Sequence, residues 1–224
     1  KKYEPMLCQK GEPSALGIND EKEEKEKKLH QETKFDYLYQ PKLDGTRALY
    51  HNGVFKNRRG RNIGKRYPKF DAFKPLTGNK ANNTKNKEKE KRIEGNCLLD
   101  GEIIVYGEEG NPDFRLLQSR EQVENPMTIS LLSKKHPATY VVFDCLVYKG
   151  KDITKMPLED RLEFLQKALP SKEYLNEMQG LQLVFTTSKG QELWNAIVKK
   201  KLEGVIAKKK GTSYQSGVRS SHRH

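Results

Sequence analysis

Cysteine and long apolar runs are scarce in this chain of 224 residues. The three cysteines, Cys8, Cys97 and Cys145, make no metal-binding pattern. Two of them fall in apolar stretches and read as buried thiols of a reducing compartment. No segment approaches the roughly 20 consecutive apolar residues of a membrane span, and Lys1-Lys2-Tyr3 does not begin a secretory signal. The expectation is an intracellular protein without a membrane partner, cytoplasmic or nucleoid-associated, or nuclear in a eukaryote. Hydrophobic residues make up 34% and mean hydropathy is −0.92. A single core is feasible at this length, but it must be shared among a few strongly apolar strands.

Acidic residues are outnumbered: 43 Lys and Arg against 30 Asp and Glu give a formal charge of +13. Such a balance favours polyanionic partners, without separating DNA from RNA. The alternative is solvating charge from a biased genome or a heat-adapted organism. Two segments concentrate charge. Residues 19–28 alternate sign with no apolar stripe, as in a solvated helix or a disordered loop, and the charged character continues to 34. Residues 79–92 are rich in Lys, Asn and Glu and read as a long flexible loop, with a DNA-gripping loop as the alternative. No internal repeat is visible.

Chemistry concentrates in Gln40-Pro41-Lys42-Leu43-Asp44-Gly45-Thr46-Arg47. It follows Phe35-Asp36-Tyr37-Leu38-Tyr39, a strand by composition. Alternation on a strand would point Leu38, Gln40 and Lys42 to one face. Gly45 would let backbone approach a ligand closely, and Arg47 would supply a cation. A lysine attacks only as the neutral amine, which nearby cations and desolvation favour. An ordinary surface lysine beside a turn is the plain alternative.

Further motifs follow in order. Asn52-Gly53 is a hairpin signal, and the returning strand delivers the basic loop Asn57-Arg58-Arg59-Gly60-Arg61, suited to phosphate or ribose. Cys97 to Tyr106 reads as a strand with Asp100 and Glu102 on one face and Leu99, Ile103 and Val105 on the other. Paired acids there need cations, a metal or ligand hydroxyls; a salt bridge to core arginines is the alternative. Tyr140 to Tyr148 is another apolar strand, in which Phe143 either packs in the core or stacks on a purine. Leu202-Glu203-Gly204-Val205-Ile206-Ala207-Lys208 supplies a last strand. Helices are expected at 157–169, with Pro157 first and Leu158, Leu162 and Leu165 on its apolar face, and at 191–202 with Leu193, Ile197 and Val198.

Lys-x-Asp-Gly-x-Arg, an Arg-bearing hairpin return, Asp-Gly-Glu, Phe-Asp and Glu-Gly-Val-Ile-x-Lys, in that order, resemble the covalent nucleotidyltransferase superfamily from about Pro5 to His224. Within it, Phe114-Arg115-Leu116-Leu117-Gln118-Ser119-Arg120, Met156-Pro157-Leu158-Glu159-Asp160-Arg161-Leu162 and the stretch from Asn57-Arg58 to Tyr67-Pro68 resemble ATP-dependent DNA ligases. The resemblance implies that Lys42 forms a covalent lysyl-AMP. It implies that Gln40, where ligases often carry Glu, reads the adenine edge, and that Arg47 and Arg58 contact ribose and phosphate. Glu102 would meet a ribose hydroxyl, Phe143 would stack on the base, and Ile206 would floor it. Glu203, with Asp44, would hold Mg²⁺ or Mn²⁺. Lys208 would complete the nucleotide site, although strand parity sets it opposite Glu203 unless the strand bends.

The expected fold is α+β: antiparallel β-sheets flanked by helices around a nucleotide-binding cleft, an ATP-grasp-like DNA ligase adenylation domain over 1–224. Ser220-Ser221-His222-Arg223-His224 resembles the approach to a Lys-x-Lys strand, so the domain's C-terminal end and the OB-fold domain are expected beyond this chain. The implied reaction moves AMP from ATP to the 5′-phosphate of nicked double-stranded DNA, by a monomeric protein whose isolated chain would not seal a nick. RNA ligases and mRNA-capping guanylyltransferases share the core motifs. A basic nucleic-acid-binding module with a vestigial pocket remains the alternative of a different class.

Overall fold

Asn52 and Gly53 adopt φ of 46° and 84°, the doubly positive turn that matches strand twist. They close β2 (Thr46–His51) on β3 (Val54–Asn57). In a computed structural model describing residues 3–6, 37–76 and 86–217, that hairpin is one end of the larger of two sheets. β2 pairs antiparallel with β4 (Leu98–Val105), which pairs antiparallel with β5 (Ala138–Tyr148). β6 (Lys151–Asp152) and β7 (Leu181–Leu183) both pair with β5. The second sheet is the antiparallel pair β1 (Tyr37–Pro41) and β8 (Val205–Lys209). Antiparallel sheets were expected, and β7 is the exception: it runs parallel to β5. The chain returns to β5 through two helices, and such a crossover delivers a strand in the same direction.

Parity on β4 is as the sequence suggests. Leu99, Ile103 and Val105 are buried in the main core, while Asp100, Glu102 and Ile104 occupy the opposite face. The core is aromatic: Tyr50, Phe55, Phe70, Phe73 and Tyr140 are all buried. Tyr67 stacks on Phe70 with centroids 5.1 Å apart, and Phe55 meets Tyr140 edge-on at 5.0 Å. Cys97 and Cys145 are buried free thiols, as expected. Cys8, residues 19–34 and Ser220–His224 lie outside the described residues.

Among the described residues, six α-helices flank the sheets. α1 (Asn86–Glu90) replaces part of the loop expected at 79–92. The chain just after it is tied down, because Arg92 donates to the carbonyls of Asp71 and Lys74 and Ile93 is buried. α2 (Phe114–Glu121) and α3 (Pro126–Lys135) are capped by Asp113 and Asn125, whose side chains accept from the first backbone N–H groups. α4 (Leu158–Ala168) begins one residue later than expected. Pro157 is its extended capping residue, with ψ of 150°, and not its first helical position. α4 buries Leu158 and Leu165 as expected, but also Arg161. α5 (Lys172–Glu177) is short. α6 (Gly190–Lys199) ends before the expected Leu202. Leu193 and Ile197 are buried one turn apart, whereas Val198 lies about 140° round from Leu193 and is 54% exposed.

Glycine is required where strands approach closely. A Cβ on Gly101 would lie 2.5 Å from the Val141 carbonyl and 2.6 Å from the Tyr140 ring. Gly101→Ala should therefore cost at least the roughly 1–3 kcal/mol of an overpacked core. A urea midpoint equal to that of the parent chain would show that β4 and β5 can separate to admit the methyl group.

Candidate active site

β1 and β8 build one wall of a cleft. Their register sets Gln40 opposite Ile206, and just past the strand the Lys42 amide donates to the Gly204 carbonyl at 2.8 Å. Pro41 ends the strand, and Gln40 and Lys42 both line the cleft, as the sequence suggested. The β1–β8 junction places Lys42 there, and Pro41 lines the cleft as well. Gly204 takes φ of 150°, a value an L side chain rarely adopts. Because the chain bends there, Glu203 and Lys208 face one space, and the parity objection to Lys208 does not hold. Gly45 lines the cleft and also meets a demand of the fold. A Cβ there would collide with the Ile103 carbonyl and approach the Glu102 side chain, so the glycine lets the Lys42 loop sit on β4.

The cleft measures about 470 Å³, within the range of small-molecule sites. All ten residues singled out from the sequence line it: Gln40, Lys42, Asp44, Arg47, Arg58, Glu102, Phe143, Glu203, Ile206 and Lys208. Lys42 Nζ pairs with the Glu203 carboxylate. The nearest charge to Lys42 is therefore an acid and not the expected cation, and its side chain is 47% exposed. Arg47 is committed elsewhere. Nε and Nη2 donate to Asp100 Oδ1 and Oδ2 at 2.6 and 2.7 Å, which is the core salt bridge weighed for the paired acids. Burial opposes the Arg47 charge, but Asp100 outweighs it and the guanidinium stays ionised.

Phe143 is half-buried, packed with Ile104, Val141, Val184 and Leu43. Arg47 Cζ and Lys208 Nζ each lie 4.6 Å from its ring centre, a cation–π arrangement. Lys208 also reaches the Phe143 carbonyl at 3.5 Å. Gln40 is buried and donates from Nε2 to Thr186 Oγ1 at 3.1 Å. The Thr186 hydroxyl contacts the Val184 carbonyl at 3.5 Å. A hydroxyl donating there can only accept from Gln40, leaving the amide oxygen of Gln40 free to accept.

The acids of the cleft are perturbed. Burial pushes Glu102 up to about 8, with Arg47 opposing and Asp100, Glu203 and Asp44 reinforcing the rise. Burial and then Glu203 raise Asp44, against Lys42. Among the described residues no group of three His, Cys, Asp or Glu side chains converges closely enough to enclose a metal ion.

Sequence reasoning missed Met6, Asp144, Leu158, Arg161 and Tyr214 as lining residues. Arg161 grips Asp144 with Nε and Nη2 at 2.9 and 3.0 Å, both groups being buried. An invisible partner 17 residues away left only the Pro-Leu-Glu-x-Arg pattern as a signal. Nothing marked Tyr214.

With this geometry in hand, the chain was compared with known proteins. Residues 19–223 match the model of the ATP dependent DNA ligase domain. The chain belongs to that family. It is 26% identical over 195 residues to the bifunctional non-homologous end joining protein LigD of Bacillus subtilis, covering 83% of this chain and 30% of that protein. It is 28% identical over 194 residues to DNA ligase C1 of Mycolicibacterium smegmatis, covering 82% and 49%. The chain thus spans half or less of these two relatives. Among solved structures, a mycobacterial DNA ligase D complexed with ATP and MES superposes with a TM-score of 0.63 at 22% identity, covering 98% of this chain and 58% of that one. Chlorella virus DNA ligase-adenylate gives 0.58 at 17%, covering 98% and 63%. The fold is that of a DNA ligase adenylation domain. No helix among the described residues is long and apolar enough to cross a membrane.

Glu102 gives the site a pH signature. Its folded value lies above the ordinary 4.5, so the folded chain holds this proton more tightly than the unfolded chain does. Its contribution to stability is full below about 4.5 and declines as pH rises to about 8, then levels off. Glu102→Gln should remove that decline, measured as urea-unfolding free energy across this range. Parallel pH curves for variant and parent would show that Glu102 is not desolvated by the cleft.

Proposed function

We propose that this chain carries out the nucleotidyl-transfer chemistry of an ATP-dependent DNA ligase, with Lys42 as nucleophile. The observation that carries this is the meeting of Lys42 and Glu203 at the end of a cleft walled by Gln40, Ile206 and Phe143. The Nζ lone pair forms a bond to the α-phosphorus of ATP, the α–β phosphoanhydride bond breaks, and pyrophosphate leaves with the bonding electrons. The amine releases its proton. The 5′-phosphate of a DNA nick then attacks the same phosphorus and breaks the P–N bond. The 3′-hydroxyl finally displaces AMP. A covalent intermediate splits one difficult exchange into easier steps and conserves the phosphoanhydride energy.

Each cleft residue has a fitting role. The Gln40 amide oxygen can accept from the exocyclic amine of adenine, where guanine presents a carbonyl. Phe143 and Ile206 sandwich the base. Lys208 rests over the Phe143 ring on a long flexible stem, from which it can move to the phosphates. A neutral Glu102, as its raised value provides at neutral pH, can both donate to and accept from ribose hydroxyls. Arg58 sits at the cleft edge for phosphate. A divalent cation held by Glu203 and Asp44 would offset charge on the leaving pyrophosphate. The +13 charge suits a DNA partner engaged through phosphates. An OB-fold domain in the full-length protein would complete closure around the duplex.

Incubation with radiolabelled ATP and Mg²⁺, followed by denaturing electrophoresis, tests the assignment. The parent chain should retain label, GTP should label far less, and Lys42→Ala should retain none while melting as the parent does, because a half-exposed lysine adds little to packing. Undiminished label in Lys42→Ala would move the nucleophile elsewhere. Absence of label from the parent would leave the pocket as a vestige on a DNA-binding module.

A further inference from the structure

The C-terminal segment Gly211–Gly217 is bound into the cleft wall from three directions. From α4, Glu159 accepts from the Gly211 amide at 2.8 Å and Arg161 Nη1 donates to the Thr212 carbonyl at 2.7 Å. From the N-terminal end, the Glu4 amide donates to Ser216 Oγ at 2.6 Å, and Ser216 Oγ donates back to the Glu4 carbonyl at 2.9 Å. The third contact is Tyr214, whose hydroxyl donates to Asp100 Oδ2 at 2.6 Å and accepts from the Met6 amide at 2.8 Å.

These bonds close a ring. Arg47 Nη2 donates to Asp100 Oδ2, Tyr214 donates to the same oxygen, Met6 N–H donates to Tyr214, and the Met6 carbonyl accepts from Arg47 Nη2 at 3.0 Å. Asp100 is wholly buried and Tyr214 nearly so. Met6, Arg47 and Tyr214 all line the cleft, and Arg47 lies over the Phe143 ring. Alone, Arg47 and Asp100 could rotate together about their long and short stems. The two further partners, bonded to each other and one to each end of the pair, hold the guanidinium in one pose.

We propose that Tyr214 is a positioning residue for the nucleotide, closing the ring that holds Arg47 and Phe143 in the geometry ATP requires. This rests on the cleft being the ATP site. Nucleotide affinity is then coupled to docking of Tyr3–Met6 on Gly211–Gly217. Lys42, just past β1, and Glu203, just before β8, lie outside the ring, so the hydroxyl acts on binding and not on attack.

The test uses Tyr214→Phe, which keeps the ring in its apolar cluster with Leu49, Leu98 and Leu146 and leaves Asp100 paired with Arg47. Equilibrium dialysis of ATP should show Kd raised about tenfold, the scale of one charge-assisted hydrogen bond. The rate of label transfer to Lys42 at saturating ATP should stay within about twofold. In a double-mutant cycle with Phe143→Ala, the combined effect on Kd should be less than multiplicative, since both changes act on one wall. Ser216→Ala, which removes two of the hydrogen bonds to Glu4 without touching the ring, should raise Kd by a smaller factor and carries the test if Tyr214→Phe fails to fold. A lowered melting temperature with unchanged Kd, or a slowed saturated rate with unchanged Kd, would overturn the proposal. A parent chain that binds no ATP would remove both the proposal and the assignment it rests on. Binding without label would remove the assignment of Lys42 alone.

Discussion

A carboxylate with no exposure stands on β4 between β2 and β5, and much of the site depends on how its charge is met. Asp100 cannot be left unpaired in an apolar sheet, where an isolated charge would cost many kcal/mol. It draws in the Arg47 guanidinium from the neighbouring strand and the Tyr214 hydroxyl from the far end of the chain. Satisfying one buried group thus brings three separate stretches of sequence together at the cleft. The second buried pair, Asp144 and Arg161, repeats the device on β5 and α4, and Arg161 also holds the Thr212 carbonyl. Both pairs tie the segment after β8 to the central sheet.

The two acids of β4 are treated oppositely by their surroundings. Asp100 finds a cation and a hydroxyl, and its charge is compensated within the wall. Glu102, two residues on, faces the cleft, where burial dominates and Arg47 is already committed to its neighbour. One becomes part of the scaffold, and the other is a group whose protonation responds near neutral pH. Lys42 shows the same dependence on context. Its closest partner is Glu203, an acid from the segment before β8 and not one of the cations that follow it in sequence.

Much of the architecture was legible locally. Asn52-Gly53 specifies a hairpin because only residues tolerant of positive φ make that turn. The strands at Leu98–Val105 and Ala138–Tyr148 announce themselves by apolar content, and the ten cleft residues were recognisable because motif order survives in the sequence. Errors arose where long-range contact overrides local preference. A Lys- and Asn-rich stretch partly became α1, Val198 turned outward, and Gly45 proved to be required by β4. β7 joined β5 in parallel, a pairing that depends on the whole intervening crossover.

The sequence by itself determined which residues form the main strands, which turns join them and which side chains were candidates for the chemistry, because these depend on neighbours a few positions away. The tertiary structure alone decided who partners whom. Arg47 could have been a free phosphate ligand or a core ion pair; the depth of Asp100 made it the latter. Lys208 could have faced away from Glu203; a backbone bend at Gly204 turned both into one cleft. Tyr214 and Met6, 208 residues apart, carry no local mark of function, since a hydrogen bond that closes a ring exists only once both ends of the chain have been folded against the same sheet.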